Sequence, residues 1–352
     1  LTSQGCQAQD WKLIQVHKQF DASRCQQVHF IGRCQIGDNC GERPSDDGSY
    51  TEPYRIAHAR LVNCTIGDRV IIDGIRDCIA HYDVANDVVL HDIATLKVTG
   101  ETAFGNGTSV EVLNETGGRE VPICDILTAQ TAYMLAMYRH DKELQATLSK
   151  LVEDYTASVR SNRGTIGEHS VLKHCGIITN VKVGPYSSVV GASVLENGSI
   201  NSTVLSPTRV GYGVICRDFI FSGGCVVADG SNVSRSFIGQ GCSVTHLFSA
   251  HDSLFFANCQ CENGEACAVF AGPFTVTMHK SSLLIAGYYS FLNAGSGSNQ
   301  SNHLYKLGPI HQGVVERGSK TTSDSYILWP SRIGAFSLIM GRHVDHIDSS
   351  DF

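Results

Sequence analysis

Ile166-Gly167-Glu168-His169-Ser170-Val171 is followed by Val183-Gly184-Pro185-Tyr186-Ser187-Ser188 and then by Val190-Gly191-Ala192-Ser193-Val194-Leu195. Each opens with an aliphatic residue and a glycine, runs through two variable positions and reaches a small residue. The same pattern returns at Ile66-Gly67-Asp68-Arg69-Val70-Ile71, at Val210-Gly211-Tyr212-Gly213-Val214-Ile215 and at Ile333-Gly334-Ala335-Phe336-Ser337-Leu338. One copy would mean nothing, but recurrence of a short unit along a chain marks a solenoid. The aliphatic residue of each unit points into a narrow interior, the small residue packs beside it, and Gly or Asn relieves the corners, where a Cβ is strained. Three units close one triangular coil, and coils stack by parallel strand pairing. The expected fold class is mainly β, a parallel β-helix of hexapeptide repeats with an inserted hairpin and a helical segment.

Interruptions of the pattern give the organisation. Residues 1–95 read as an amphipathic cap, with Trp11, Ile14, Val16 and Phe20, followed by the first coils. Residues 96–164 form an insertion. Its first part alternates in Ser109-Val110-Glu111-Val112-Leu113 and turns at Asn114-Glu115-Thr116-Gly117-Gly118, as a hairpin does. Its second part, Asp125 to Val159, places Ile126, Ala129, Tyr133, Ala136 and Met137 on one helical face, continued by Leu144, Leu148, Leu151 and Tyr155. This predicts a helical hairpin or bent helix packed across the coils. Residues 165–352 form the main β-helix, most regular up to about residue 245, after which the frame breaks into long insertions as far as Pro330.

Composition narrows the function. The 352 residues carry a net charge of -7 without a basic stripe, which excludes a phosphate-tracking nucleic-acid binder. No apolar run reaches the roughly 18 residues of a membrane helix, and no basic segment precedes an apolar leader, so no membrane association and a cytoplasmic location are expected. The chain begins at Leu1, which leaves a longer parent open. Fourteen cysteines in a chain this long read as free hydrophobes, with Cys40 and Cys242 at small buried repeat positions. Cys259, Cys261 and Cys267 lack a CxxC pair and read as structural, so no metal ligand is assigned.

Candidate chemistry concentrates after residue 245. His251, His279, His303 and His311 supply imidazoles, whose pKa near neutrality suits a general base. The polar run from Gly295 to Asn302, with Ser298, Asn299 and Asn302 as ligand-binding candidates, suits a phosphate, a pantetheine arm or a sugar. Lys306, Arg317, Lys320 and Arg332, interleaved with Ser319, Thr321, Thr322 and Ser323, favour an anionic ligand such as a nucleotide sugar or coenzyme A. Trp329-Pro330 reads as a sugar platform or a solenoid cap, and His343/His346 as a frayed end. Glu115 and Glu120, with Arg119 between them, are accessory acid-base candidates. The five-residue spacing of His169/His174 and His246/His251 leaves a zinc site as an alternative.

Three further runs carry a family resemblance: Phe270-Ala271-Gly272-Pro273-Phe274-Thr275-Val276-Thr277-Met278-His279-Lys280, Tyr305-Lys306-Leu307-Gly308-Pro309-Ile310-His311-Gln312-Gly313, and Asn114-Glu115-Thr116-Gly117-Gly118-Arg119-Glu120-Val121-Pro122. Through them the chain resembles an uncharacterised bacterial family of the left-handed hexapeptide-repeat superfamily, which includes acyltransferases, sugar nucleotidyltransferase domains and γ-class carbonic anhydrases. The resemblance implies a left-handed course and a homotrimer. It also implies an acyl donor such as acetyl-CoA as cosubstrate, no tightly bound cofactor, and a His as general base. Asn302-His303 departs from the acetyltransferase Asn-x-His spacing. The leading expectation is an acyltransferase-like protein acting on or binding a sugar or nucleotide sugar. A non-catalytic carbohydrate-binding scaffold is the alternative, and a zinc-dependent lyase comes third.

Overall fold

The repeat's aliphatic positions are interior: Ile66, Ile166, Val183, Val210 and Ile333 are all buried. The computed structural model describes residues 1–45, 47–301 and 313–351. Over these the chain winds as a parallel β-solenoid of about 18 turns. Val226 pairs with Ser243 and Ser243 with Gln260, so a turn takes 17 residues there. Three six-residue units would need one more. The frame therefore slips along the chain, and one of the defining copies is out of frame: Val189, Ala192 and Leu195 face inward while Val190 faces out.

Each turn contributes to three sheets. The first contains the rungs Ser188, Arg209, Val226 and Ser243. The second contains Val194, Ile215, Asn232 and Ser249, and the third Ile200, Phe221, Ile238 and Phe255. Between the second and third sheets the chain turns through Asn180, Asn197 and Asp218, all at positive φ. Asn and Asp tolerate that left-handed region better than bulkier residues. They also bond between turns, as Asn197 Nδ2 donates to Asp218 Oδ1 at 2.6 Å.

Several expectations change on contact with this architecture. Residues 7–8 and 14–16 are already coil strands, paired with residues 29–30 and 34–36, so the N-terminal segment expected to cap the coils is itself wound into the solenoid. The expected insertion before Pro330 is present, since Gly287 pairs with Gly313 and Asn299 with Tyr326 and one turn there takes 26–27 residues, but the frame holds from residue 245 up to that turn. Gln260 pairs with Val276 and Val276 with Asn293, and the interior there is filled by Cys261, Thr277 and Ala294, which an aliphatic template does not register. Trp329 neither stacks on a surface nor caps an end: it is fully buried, its indole N–H donating to the Ile285 carbonyl at 2.6 Å. Cys242 is buried as expected, but Cys40 is exposed. Burial pushes the Cys64 thiol up to about 12 and the Cys124 thiol to about 11, as expected for inert core cysteines.

The strand ending at Lys97 pairs directly with residues 171–179, so the turns before and after the insertion form one stack. Thr102 and Ser161 close the insertion's neck with two 3.0 Å backbone hydrogen bonds. Inside it, Ser109–Glu111 and Glu120–Pro122 form the antiparallel hairpin. The helical stretch is two helices, α1 (Ala129–Met137) and α2 (Lys142–Val159), capped by the Thr128 and Asp141 side chains. Val152 takes the buried position on α2 and Leu151 faces out.

The insertion sits where it does because of the third sheet's outer surface. Its outward rungs Ile220, Phe237, Leu254 and Phe270 are apolar, whereas the second sheet presents Glu196, Arg217, Ser234 and His251. Hairpin and helices bury the apolar rungs under Val110, Val121, Leu135 and Val152. Each fully covered Phe or Leu contributes about 1.5–3 kcal/mol relative to exposure.

Candidate functional site: a groove beyond the inserted helices

The outward ladder of the third sheet continues past Phe270 through Tyr288, Val314, Arg332 and Asp348. The inserted cover stops at Tyr288, because α1 ends at Met137 and the chain turns back through Tyr138 and His140 into α2. Among the described residues, the rungs beyond the cover floor a groove of about 920 Å³, with Tyr133, Tyr138 and His140 on one wall and Ser290, Glu316, Arg317, Pro330 and His346 on its rims. A second hollow of about 430 Å³ shares Tyr133, Tyr138 and Tyr288 and runs back beneath α1 to Phe270 and Pro273.

One end of this groove is aromatic. Tyr133 lies with its ring centroid 5.5 Å from Tyr288, 6.0 Å from Tyr138 and 6.5 Å from Phe270. Tyr138 in turn stacks on His140 at 5.8 Å. Burial, then the Tyr133 hydroxyl and the Glu316 carboxylate, raise the Tyr288 pKa, so its phenol stays a neutral donor and acceptor.

The other end is charged on both signs. Arg332 Nη2 donates to Glu316 Oε1 at 3.1 Å, and its backbone is fixed by hydrogen bonds to Ile347 and Ser349. Two hydrogen bonds from Ser350, aided by Arg332, hold the Asp348 carboxyl below its ordinary range. Rigid strands thus carry carboxylate acceptors and guanidinium donors beside apolar ring surface. That combination grips an amphipathic ligand with several hydroxyls.

Of the sequence candidates, Arg317 and Arg332 line this groove. His251 lies on the second sheet, held by Ser234 Oγ at 2.6 Å, Arg235 Nη2 at 2.8 Å and Asp252 Oδ2 at 3.0 Å, and it is not among the groove's lining residues. His279 is exposed in a turn, and Lys320 is exposed on the first sheet opposite Asn293. Ser298 is fully buried, its hydroxyl spent on Thr321 Oγ1 at 2.6 Å, so it is not available to a surface ligand. Ser319 and Thr321 are interior as well. Asn299 is a second-sheet rung paired with Tyr326. Asn302, His303, Lys306 and His311 lie outside the described residues.

The accessory acids are not brought together: Glu120 faces Arg139 at 3.7 Å, Glu115 contacts Cys267, and Arg119 donates to the Ala136 carbonyl. His169 stacks on Tyr186 and His174 bonds Asp92, and among the described residues no group of three His, Cys, Asp or Glu converges as a metal site would. Sequence reasoning missed Tyr138, Tyr288, His140, Glu316, Asp348 and the rim position of His346. The available signal was the change from apolar to polar along one ladder, readable only once the register is known.

A parallel β-solenoid with one inserted cover and a groove at the cover's edge defines the class of protein. More narrowly, the chain belongs to the DUF4954 family, described as a domain of unknown function, which matches residues 1–352. It is similar to an uncharacterized protein of Treponema pallidum (strain Nichols), 31% identical over 241 residues that make up 64% of this chain and 33% of the relative. The chain thus spans about a third of that relative's length. Among the described residues no helix is long and apolar enough to cross a membrane.

Proposed function

We propose that the groove is a carbohydrate site of the sugar or nucleotide-sugar class, presented by the solenoid as a rigid scaffold. The observation that carries this reading is the meeting of Tyr133, Tyr138 and Tyr288 with Glu316, Arg317, Arg332 and Asp348 around one cavity of about 920 Å³. A sugar ring is itself amphipathic: its C–H face packs on an aromatic ring while its hydroxyls bond carboxylates and guanidinium groups. Arg317 adds a cation for a phosphate-bearing ligand. The likeness to left-handed hexapeptide-repeat proteins supports the same ligand class, and a cytoplasmic homotrimer is part of this reading.

Acyl transfer is the second reading, favoured by one observation: the half-exposed His251 imidazole lies with Nδ1 2.6 Å from Ser234 Oγ and Nε2 beside Asp252 and Arg235, so it serves as a general base where an acceptor hydroxyl displaces one of these partners. Acetyl-CoA would be a cosubstrate there, with no tightly bound cofactor.

A thermal-shift series tests both, since a ligand that binds only the folded state raises its melting temperature. The probes are free monosaccharides, uridine- and thymidine-diphosphate sugars and acetyl-CoA. A shift with sugars or nucleotide sugars that Tyr288→Ala and Arg332→Ala abolish supports the carbohydrate site. A shift with acetyl-CoA, together with coenzyme A release that His251→Ala stops, supports acyl transfer. No shift with any sugar probe contradicts the carbohydrate reading.

A further inference from the structure

The corner between the third and first sheets is a second ladder, which carries the stacked His169–Tyr186 pair earlier in the chain and becomes aromatic again after residue 258. In successive turns it passes through Gly241 and Asn258, both at positive φ, which is what a left-handed corner favours. The next two turns place Phe274 (φ 59°) and Phe291 (φ 51°) there, followed by Gly318 and then Phe336 (φ 58°). Backbone hydrogen bonds fix the order, from Phe291 N to the Pro273 carbonyl, Gly318 N to Ser290 and Phe336 N to Arg317.

A bulky residue in this conformation costs backbone energy that Asn or Gly does not. Nor is the cost returned by burial: Phe274 is 48% exposed, Phe291 50% and Phe336 73%. The rings are nevertheless organised. Phe274 and Phe291 stack at 5.0 Å with 29° between planes. Phe336 roofs the following gap, since a Cβ on Gly318 would come within 2.5 Å of its ring, and the Arg317 guanidinium lies 5.8 Å from its centroid. The result is an apolar strip that spans three turns, about 14 Å at the usual strand spacing.

This strip adjoins the groove. Ser290 and Arg317, which line the groove, immediately precede Phe291 and Gly318 in the chain. Something seated in the groove and reaching over its rim meets the aromatic corner next.

We infer that the strip is an extension of the groove and that the ligand is an oligosaccharide, one unit held by the tyrosines and charged groups and the following units laid along Phe291 and Phe336. This inference rests on the carbohydrate reading of the groove. A chain of sugars fits both surfaces because each ring repeats the same pairing of C–H face and hydroxyl edge, whereas a single nucleotide sugar would leave the strip unused.

The test is a glycan microarray carrying mono- to hexasaccharides, probed with the labelled wild-type chain, a Phe291→Asn/Phe336→Asn double variant and Tyr288→Ala. Asn occupies the same corner at Asn258, so the double variant keeps the backbone conformation and its melting temperature stays within a few degrees of wild type. The expected result is wild-type binding that strengthens at least about tenfold with chain length. The double variant loses that gain but keeps the wild-type signal on the shortest glycans. Length dependence that survives in the double variant, or wild-type binding equal at all lengths, overturns the inference while leaving the groove reading intact. Absence of wild-type binding to every glycan overturns both. Binding unaffected by Tyr288→Ala removes the groove from the account and the strip with it.

Discussion

Tyr133 on α1 and Tyr288 on the third sheet meet with ring centroids 5.5 Å apart, and their contact marks the edge of the inserted cover. On one side the outward rungs are apolar and buried by the insertion. On the other they become Val314, Arg332 and Asp348 and floor a groove. One ladder thus serves two purposes, and the length of α1 sets where the change occurs.

The cover is held by core-like packing. Phe237 is 2% exposed and its ring lies 5.5 Å from Phe256 under the insertion. Phe237→Ala should cost about 3–5 kcal/mol in urea unfolding, as for other large-to-small core changes. A loss below about 1 kcal/mol would mean that the insertion is not seated on this face.

Close approach inside the solenoid makes a second expectation. A Cβ on Gly198 would fall 2.3 Å from the Phe219 ring, which itself packs on Phe221 at 4.5 Å. Gly198→Ala should therefore destabilise by about 1–3 kcal/mol through overpacking. Adding Phe219→Leu should recover part of the loss. Additive destabilisation in the double variant would refute the steric explanation.

The re-entry of the chain after the insertion is electrostatic. Arg163 pairs with Asp83 through Nε at 3.0 Å and donates from Nη1 to the Asn63 carbonyl at 2.7 Å, just before Gly164 begins its strand. Hydrogen bonds from Arg163 hold the Asp83 carboxyl below its ordinary value of 3.8, and Arg69 does the same for Asp87. Groups with a depressed folded pKa give stability that is present above the unfolded pKa and lost as pH falls through the folded one. The melting temperature should therefore drop as pH falls below about 4. Asp83→Asn should melt lower than wild type at pH 7 and show a shallower acid decline. An unchanged acid slope would contradict the assignment.

Thiol reactivity provides a count. Of the fourteen free cysteines only Cys40 is exposed, and Cys78 and Cys267 are half-buried. Native protein treated with iodoacetamide should be alkylated first at Cys40 and more slowly at Cys78 and Cys267. The remaining cysteines should react only on unfolding. Mass spectrometry locating early label at Cys216 or Cys261 would contradict the burial pattern.

The solenoid was legible because Ile66, Ile166, Val183, Val210 and Ile333 repeat a chemistry that only a narrow interior requires. So were the hairpin and helices, whose periods of two and three to four residues depend on local burial alone. What escaped was register. A template of six residues drifts against turns of 17, so it places Val190 inward and reads the whole stretch after residue 245 as irregular, where only the turn from Gly287 to Gly313 is long. The groove was hidden for the same reason. Tyr288, Arg332 and Asp348 are far apart in sequence and become neighbours only through parallel pairing. Candidates chosen by sequence crowding fare accordingly: Arg317 and Arg332 reach the groove, while Ser298 turns inward.

Saturation-transfer difference NMR asks whether the groove at the end of α1 binds carbohydrate. Spectra would be taken on the wild-type chain and on Tyr288→Ala with the same set of oligosaccharides and nucleotide sugars. Transfer to sugar ring protons is expected in the wild-type sample and its loss in the variant, with melting temperatures showing that both are folded. Transfer to no sugar proton in the wild type, or equal transfer in both proteins, would contradict carbohydrate binding at the groove.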